Sequence, residues 1–297
     1  MAGRIKVLIL SFNLLFSMLM CSLASRADDA SDFNKPVVYL LDIHKSQYRL
    51  NKVSEEFRRA GIEYTKFSGI DKKDVNVSEY IQDGILGTRW LPVPAYHPLY
   101  HCERTVGTNE LHRNPLSAET AALSLSHRMI LKETRGQLRD VMILEDDVVV
   151  PVGAAFWGRY KDIFNELPDD WDIFYLGAWD RACLNEKLTS RLSTLTYSQE
   201  DFSTDCHPGT YAWVVRNQSI GKVLDILQVF HEEIDHQLLR NFGSKLKAYW
   251  AHSELVMHDF KINKEKCEVA GEKNLVTKDS FVRCLAREQR LEKRRRR

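Results

Sequence analysis

Apolar positions along this chain alternate between short continuous runs and helical spacings. Val37-Val-Tyr-Leu-Leu41 is a run of strand formers between Pro36 and Asp42, which predicts a buried strand. Ser46 to Ala60 is charged, carries Leu50, Val53 and Phe57 at helical spacing and stops at Gly61. Ile62 to Phe67 reads as a second strand. Strand, helix and strand within about 30 residues form a βαβ unit and imply a parallel sheet. Further along, Ser117 to Glu133 reads as a helix, Val141-Met-Ile-Leu144 as a third strand and Phe156 to Leu167 as an amphipathic helix. Asp172 to Leu176 and Tyr211 to Val215 read as strands. Ser219 to Phe230 and Glu233 to Asn241 read as helices, and Leu246 to Trp250 as a last strand. Between these, the Gly- and Pro-rich stretch 84–116 predicts a long functional loop, and the polar stretch 180–208 predicts another loop. The alternation predicts one α/β domain with its ligand at the carboxyl ends of the strands.

The beginning of the chain has a different pattern. Arg4 and Lys6 precede an apolar run from Val7 to Leu23, followed by small residues at Ala24, Ser25 and Ala27. Residues 1–24 therefore read as a secretory signal peptide or an uncleaved signal anchor, and 25–36 as a linker. The folded domain is expected over 37–262, with a C-terminal extension over 263–297. Either fate of the leader sends the body into the lumen of the secretory route. The Asn-x-Ser sequons at Asn76 and Asn217 fit that compartment. So do Cys102, Cys183, Cys206, Cys267 and Cys284, which allow one or two disulfides and leave a thiol over.

Charge excludes one class of partner. The formal net charge is +1, but Arg4, Lys6 and the tail Lys293 to Arg297 supply seven positive charges, and removing them leaves the body at −6. A body of that sign is a poor binder of nucleic acid. The tail reads as a solvated end or as a contact for anionic surfaces.

The third strand ends abruptly in Glu145-Asp146-Asp147. In an extended chain, residues i and i+2 point the same way, so Glu145 and Asp147 can face one point. Carboxylates grouped there repel one another unless a cation lies between them, and oxygen ligands select Mg²⁺, Mn²⁺ or Ca²⁺. A solvated turn is the plainer alternative. Other chemistries lack their patterns: the chain has no phosphate-binding glycine loop and no nucleophile elbow. His231 and His236 are five apart, where a zincin helix needs four.

Five blocks in order give the chain its likeness to a known family. They are Val38-Tyr-Leu-Leu-Asp42 with Arg49, running on to Phe67-Ser-Gly-Ile-Asp71; Leu116-Ser-Ala-Glu119 through Leu125-Ser-His127; Ile143-Leu-Glu-Asp-Asp-Val148; Trp171-Asp-Ile-Phe-Tyr-Leu-Gly177 with Gly209-Thr-Tyr-Ala-Trp213; and Ile234-Asp235. Together the sequence resembles glycosyltransferase family 25, the lipopolysaccharide β-galactosyltransferases and procollagen galactosyltransferases. It departs from the family at Asp42, where Asn is usual, at His44, where Asp is usual, and at Ala118, where Gly is frequent.

The resemblance implies a GT-A-like single domain with a mostly parallel central sheet flanked by helices. It also implies a UDP-sugar donor, typically UDP-galactose, inversion at the anomeric carbon, and a glycan or collagen hydroxylysine as acceptor. On that basis Glu145 and Asp147 are the expected ligands of Mn²⁺ or Mg²⁺, with His258 completing the metal shell by analogy with the fold. Asp42, Arg49, Glu119, His127 and Asp146 are the expected donor-binding residues, and Asp235 the expected base. Simpler roles stay open for several: a helix cap for Asp235, a surface arginine for Arg49, a hydrogen-bonded core residue for His127. Two other classes compete with the transferase: a catalytically inactive relative that binds glycans or a partner, and a metal-dependent hydrolase acting on the nucleotide sugar.

Overall fold

A computed structural model describes residues 34–43, 45–87, 118–177, 186–197, 209–252 and 255–259. The chain divides into Met1–Lys35 and Pro36–Arg297, and all the elements described belong to the second unit. The leader, His44, the five body cysteines, most of the glycine- and proline-rich loop and the basic tail lie outside the described residues.

Strand β1 (Val37–Asp42) leads into helix α1 (Gln47–Ala60). Ser46 caps α1, its hydroxyl accepting from the Arg49 amide, and Arg58 and Arg59 sit in the last turn where the helix dipole favours cations. The helix stops at Gly61, whose φ of +63° falls in the left-handed region that glycine adopts without a steric penalty. Its apolar stripe of Val53, Phe57 and Ala60 is buried. Then follow β2 (Thr65–Ser68), α2 (Val77–Gln82), α3 (Ala118–Thr134), β3 (Val141–Glu145), β4 (Val148–Val149) and α4 (Phe156–Phe164). The second half holds β5 (Ile173–Tyr175), β6 (Glu186–Lys187), β7 (Leu192–Leu195), β8 (Ala212–Val215), α5 (Ile220–Ile226), α6 (Ile234–Leu239), β9 (Ala248–Ala251) and β10 (Met257–His258).

Eight strands form one sheet in the order β2-β1-β3-β8-β5-β9-β7-β6, while β4 and β10 pair as a separate ribbon. β1 is parallel to both β2 and β3, and β5 is parallel to β9; β8 runs antiparallel to β3 and β5, and β7 antiparallel to β9 and β6. Six of the eight strands thus point one way, with β8 and β7 reversed. β3, β5 and β8 are the middle of the sheet, and their apolar residues are buried on both faces. That is why these strands read as continuous apolar runs rather than alternating ones.

The stretch 180–208 corrects an expectation. It contains β6 and β7, an edge hairpin, where polarity predicted only loop. β7 hides because Ser193 and Thr194 interrupt its two apolar residues, yet Ser193 is buried and bonds His252 while Leu192 and Leu195 enter the core. Helix α2 had no sequence reading either. Six residues capped by Asn76 carry too little periodicity to register.

Candidate functional site

The carboxyl edge of the sheet gathers the acidic residues. Leu41 of β1 stands opposite Glu145 of β3, so Asp42 and the acidic triplet leave neighbouring strands at the same edge. On the other side of β3, the Glu145 amide donates to the Tyr211 carbonyl just before β8. Asp42 is buried with one partner on each oxygen: one accepts from the Lys45 amide at 3.0 Å, the other pairs with Lys66 Nζ at 2.7 Å.

The chain turns at Asp146-Asp147, and this changes how the triplet points. An i, i+2 pair shares a face only while the chain is extended, so Glu145 and Asp147 diverge. Glu145 Oε1 accepts from His127 Nε2 at 3.1 Å and from Thr210 Oγ1 at 3.0 Å. Asp146 and Asp147 instead share a cation: Arg49 Nη1 lies 3.6 Å from Asp146 Oδ1 and 3.6 Å from Asp147 Oδ2. All three of these groups are buried. A guanidinium between two buried carboxylates offsets a repulsion that burial would otherwise magnify.

Asp147 Oδ2 also meets His258 Nε2 at 3.1 Å. The ribbon of β4 and β10 sets that contact, because Val148, next to Asp147, pairs with His258. Asp259 continues the arrangement: its amide donates to the Asp147 carbonyl, and its carboxylate pairs with Lys52. Helix α1 therefore contributes both Arg49 and Lys52, three residues apart on one face, to the acidic edge. Lys52 had no functional reading from sequence; its spacing from Arg49 was the available signal.

Helix α3 reaches the same edge through His127, which is fully buried and also accepts from Trp213 Nε1 at 3.3 Å. Glu119, in the first turn of α3, is exposed and pairs with Lys72 at 3.4 Å, away from the hydrogen bonds of the acidic edge. A helix that delivers one residue to a site can leave another, two turns earlier, in solvent.

A second cluster lies at the start of α6. Ligand atoms of Glu233, Asp235 and His236 fall within 4.8 Å of one another. Asp235 is buried and sits in the first turn, its Oδ1 accepting from the His236 amide at 2.9 Å. The α6 start is docked on α3, with the Ile234 amide donating to Ser124 Oγ and Thr120 Oγ1 donating to Glu233. The buried Tyr175 hydroxyl is pushed well above its ordinary pKa by desolvation, and the charge of Asp235 adds to the effect. Tyr175 is stacked on Trp213 at 6.4 Å between centroids. Thus Asp235 acts on the same aromatic layer that supports His127.

The donor chemistry at Asp147 and His258 fits a divalent cation. Asp147 Oδ2 and His258 Nε2 stand 3.1 Å apart, a carboxylate oxygen and an imidazole nitrogen that would both serve as ligands to Mn²⁺ or Mg²⁺. Glu145 does not join them: among the described residues, it forms no three-donor group with Asp147 and His258 inside 4.8 Å.

A sheet running mostly one way, with buried carboxylates and a buried guanidinium at its carboxyl edge, defines an α/β enzyme architecture that binds a charged ligand at the strand ends. The family model described as "Glycosyltransferase family 25 (LPS biosynthesis protein)" matches residues 35–238, and the chain belongs to glycosyltransferase family 25. Its fold is the GT-A-like α/β domain. A curated "Glycosyltransferase 25 family member" from Drosophila pseudoobscura pseudoobscura is 22% identical over 142 residues. That match covers 47% of this chain and 20% of the relative, so the chain aligns with about a fifth of the relative's length. No helix among the described residues is long and apolar enough to cross a membrane.

Proposed function

We propose that the protein is an inverting, metal-dependent glycosyltransferase of the secretory lumen. It transfers a hexose, galactose from UDP-galactose, to a hydroxyl of a glycan or of collagen hydroxylysine. The observation that carries this reading is the part-buried Asp147–His258 pair beside Arg49 at the carboxyl end of β3. The family match supports the reaction class.

In this reading Asp147 and His258 hold Mn²⁺ or Mg²⁺, which when bound supplies a Lewis acid for the departing nucleoside diphosphate. Arg49 offsets one of the two charges of Asp146 and Asp147, and the bound cation would offset the other, so that the edge can receive a diphosphate. Asp146 and Asp42 line the same edge and orient the ribose or sugar of the donor. Asp235 has one oxygen fixed by the His236 amide and receives the acceptor hydroxyl's proton on Oδ2 as the new glycosidic bond forms. A single displacement with the base on the acceptor side inverts the anomeric carbon.

The test is UDP release from a panel of UDP-sugars with Mn²⁺, with and without a hydroxylysine peptide and a set of glycan acceptors. Acceptor-stimulated release from UDP-galactose is expected. Asp235→Asn should lower kcat by about 10²- to 10⁴-fold while leaving donor binding intact, and Asp147→Asn should weaken donor binding itself. No release from any UDP-sugar by folded protein would refute the reading, and acceptor-independent release would replace it with hydrolysis.

A further inference from the structure

His127 and Thr210 converge on one oxygen of Glu145 while Trp213 bonds His127 from behind, and the chemistry of the three donors fixes the direction of every hydrogen bond. An indole Nε1–H can only donate. His127 Nδ1, 3.3 Å from Trp213 Nε1, is therefore an acceptor and carries no proton. The neutral ring must then hold its proton on Nε2, which faces Glu145 Oε1 at 3.1 Å. Trp213 and His127 are fully buried, so no water competes for the bond between them. Thr210 Oγ1 donates to the same Oε1 at 3.0 Å.

With two donors on Oε1, the carboxylate plane is fixed and Oε2 is left as the available acceptor. Among the described residues Oε2 has no hydrogen-bond partner, and the Glu145 side chain keeps 15% of its surface accessible at the carboxyl edge. A pre-aimed carboxylate oxygen takes a ligand O–H or a cation. Glu145 lies outside the Asp147–His258 pair, which favours the O–H. We propose that Trp213, His127 and Thr210 are positioning residues that aim Glu145 Oε2 at a hydroxyl of the sugar-nucleotide donor. This rests on the glycosyltransferase reading above. Ribose and hexose present the same chemistry.

Two measurements test it. In protein labelled with ¹⁵N-histidine, long-range ¹H–¹⁵N correlation reads the His127 tautomer, with His127→Gln assigning the signal. The Nε2–H form is expected, and Trp213→Phe should remove that bias. In binding titrations, Thr210→Val should weaken UDP-galactose about five- to tenfold, the size of one ordinary hydrogen bond lost through the carboxylate's aim, with Mn²⁺ affinity in the absence of donor unchanged. Thr210→Ser should restore donor affinity. An equal weakening of UDP assigns the contact to ribose; weakening confined to UDP-galactose assigns it to the hexose. The Nδ1–H tautomer overturns the proposal, as does donor affinity unaltered in Thr210→Val. A loss of Mn²⁺ affinity in that variant overturns it in favour of Glu145 as a metal ligand. Failure of the unaltered protein to bind any UDP-sugar would instead defeat the transferase reading and with it the donor contact, while the tautomer still decides whether the positioning network exists.

Discussion

Gly177 leaves no room for a side chain. A Cβ there would stand 2.1 Å from the Val256 carbonyl and 2.6 Å from the Tyr211 hydroxyl, and a backbone carbonyl cannot move aside cheaply. Gly177→Ala should cost about 2 to 3 kcal/mol, an overpacking penalty, read as a lower urea midpoint. Because Val256 lies just before β10, the same variant should displace His258 and weaken divalent-cation binding. Asp140 gives a prediction of a different kind. Its partial burial raises its carboxyl above the ordinary aspartate value, against the opposing effects of the Asn217 amide and Arg216. An acid whose folded pKa is raised binds more protons when folded, so stability falls as pH rises from the ordinary value, 3.8, through the folded one. Asp140→Asn, which keeps an acceptor for the Asn217 amide, should therefore raise the Tm at pH 7 and lose that advantage below about pH 3, where aspartate is neutral in both states.

Each of the two sequons sits at the start of a short helical element, with different side-chain bonding. At the start of α2, Asn76 is exposed and caps through Oδ1, at 3.3 Å from the Glu79 amide. A glycan on Nδ2 leaves that cap in place. Asn217 donates its Nδ2 to the Leu138 carbonyl, and the buried Ser219 hydroxyl of its sequon donates to Asp172. In full-length protein secreted by eukaryotic cells, peptide mapping should find glycan at Asn76 and none at Asn217. Elements with a strong apolar signal, periodic or continuous, were legible in the sequence: α1, α3 and β3 fall within a residue or so of their expected bounds. The β6–β7 hairpin was not, because its pattern is short and polar. The positioning chain was not legible either. Thr210 and Trp213 stood inside a recognised block, but their reach to Glu145 and His127 comes from antiparallel pairing of β8 with β3, which local spacing does not encode. For the same reason Glu145 and Asp147 were expected to face one point. The rule for extended chains fails where the backbone turns at Asp146.

At the scale of the whole molecule, the reversed strand β8 is what completes the site. It stands between β3 and β5, presenting the residues that precede it, Thr210 and Tyr211, to the carboxyl end of β3. Helix α1 brings Arg49 and Lys52 from one side, the β4–β10 ribbon brings His258 from another, and α3 brings His127 from beneath. In the proposed function this edge binds a nucleoside diphosphate together with a divalent cation. Titration calorimetry of UDP into the protein, with and without Mn²⁺, tests it most directly, with Asp147→Asn run in parallel. Mn²⁺ should tighten UDP binding at least about tenfold, equivalent to about 1.4 kcal/mol, and Asp147→Asn should abolish the gain without unfolding the protein. UDP affinity indifferent to Mn²⁺, or a gain that survives in Asp147→Asn, would contradict it.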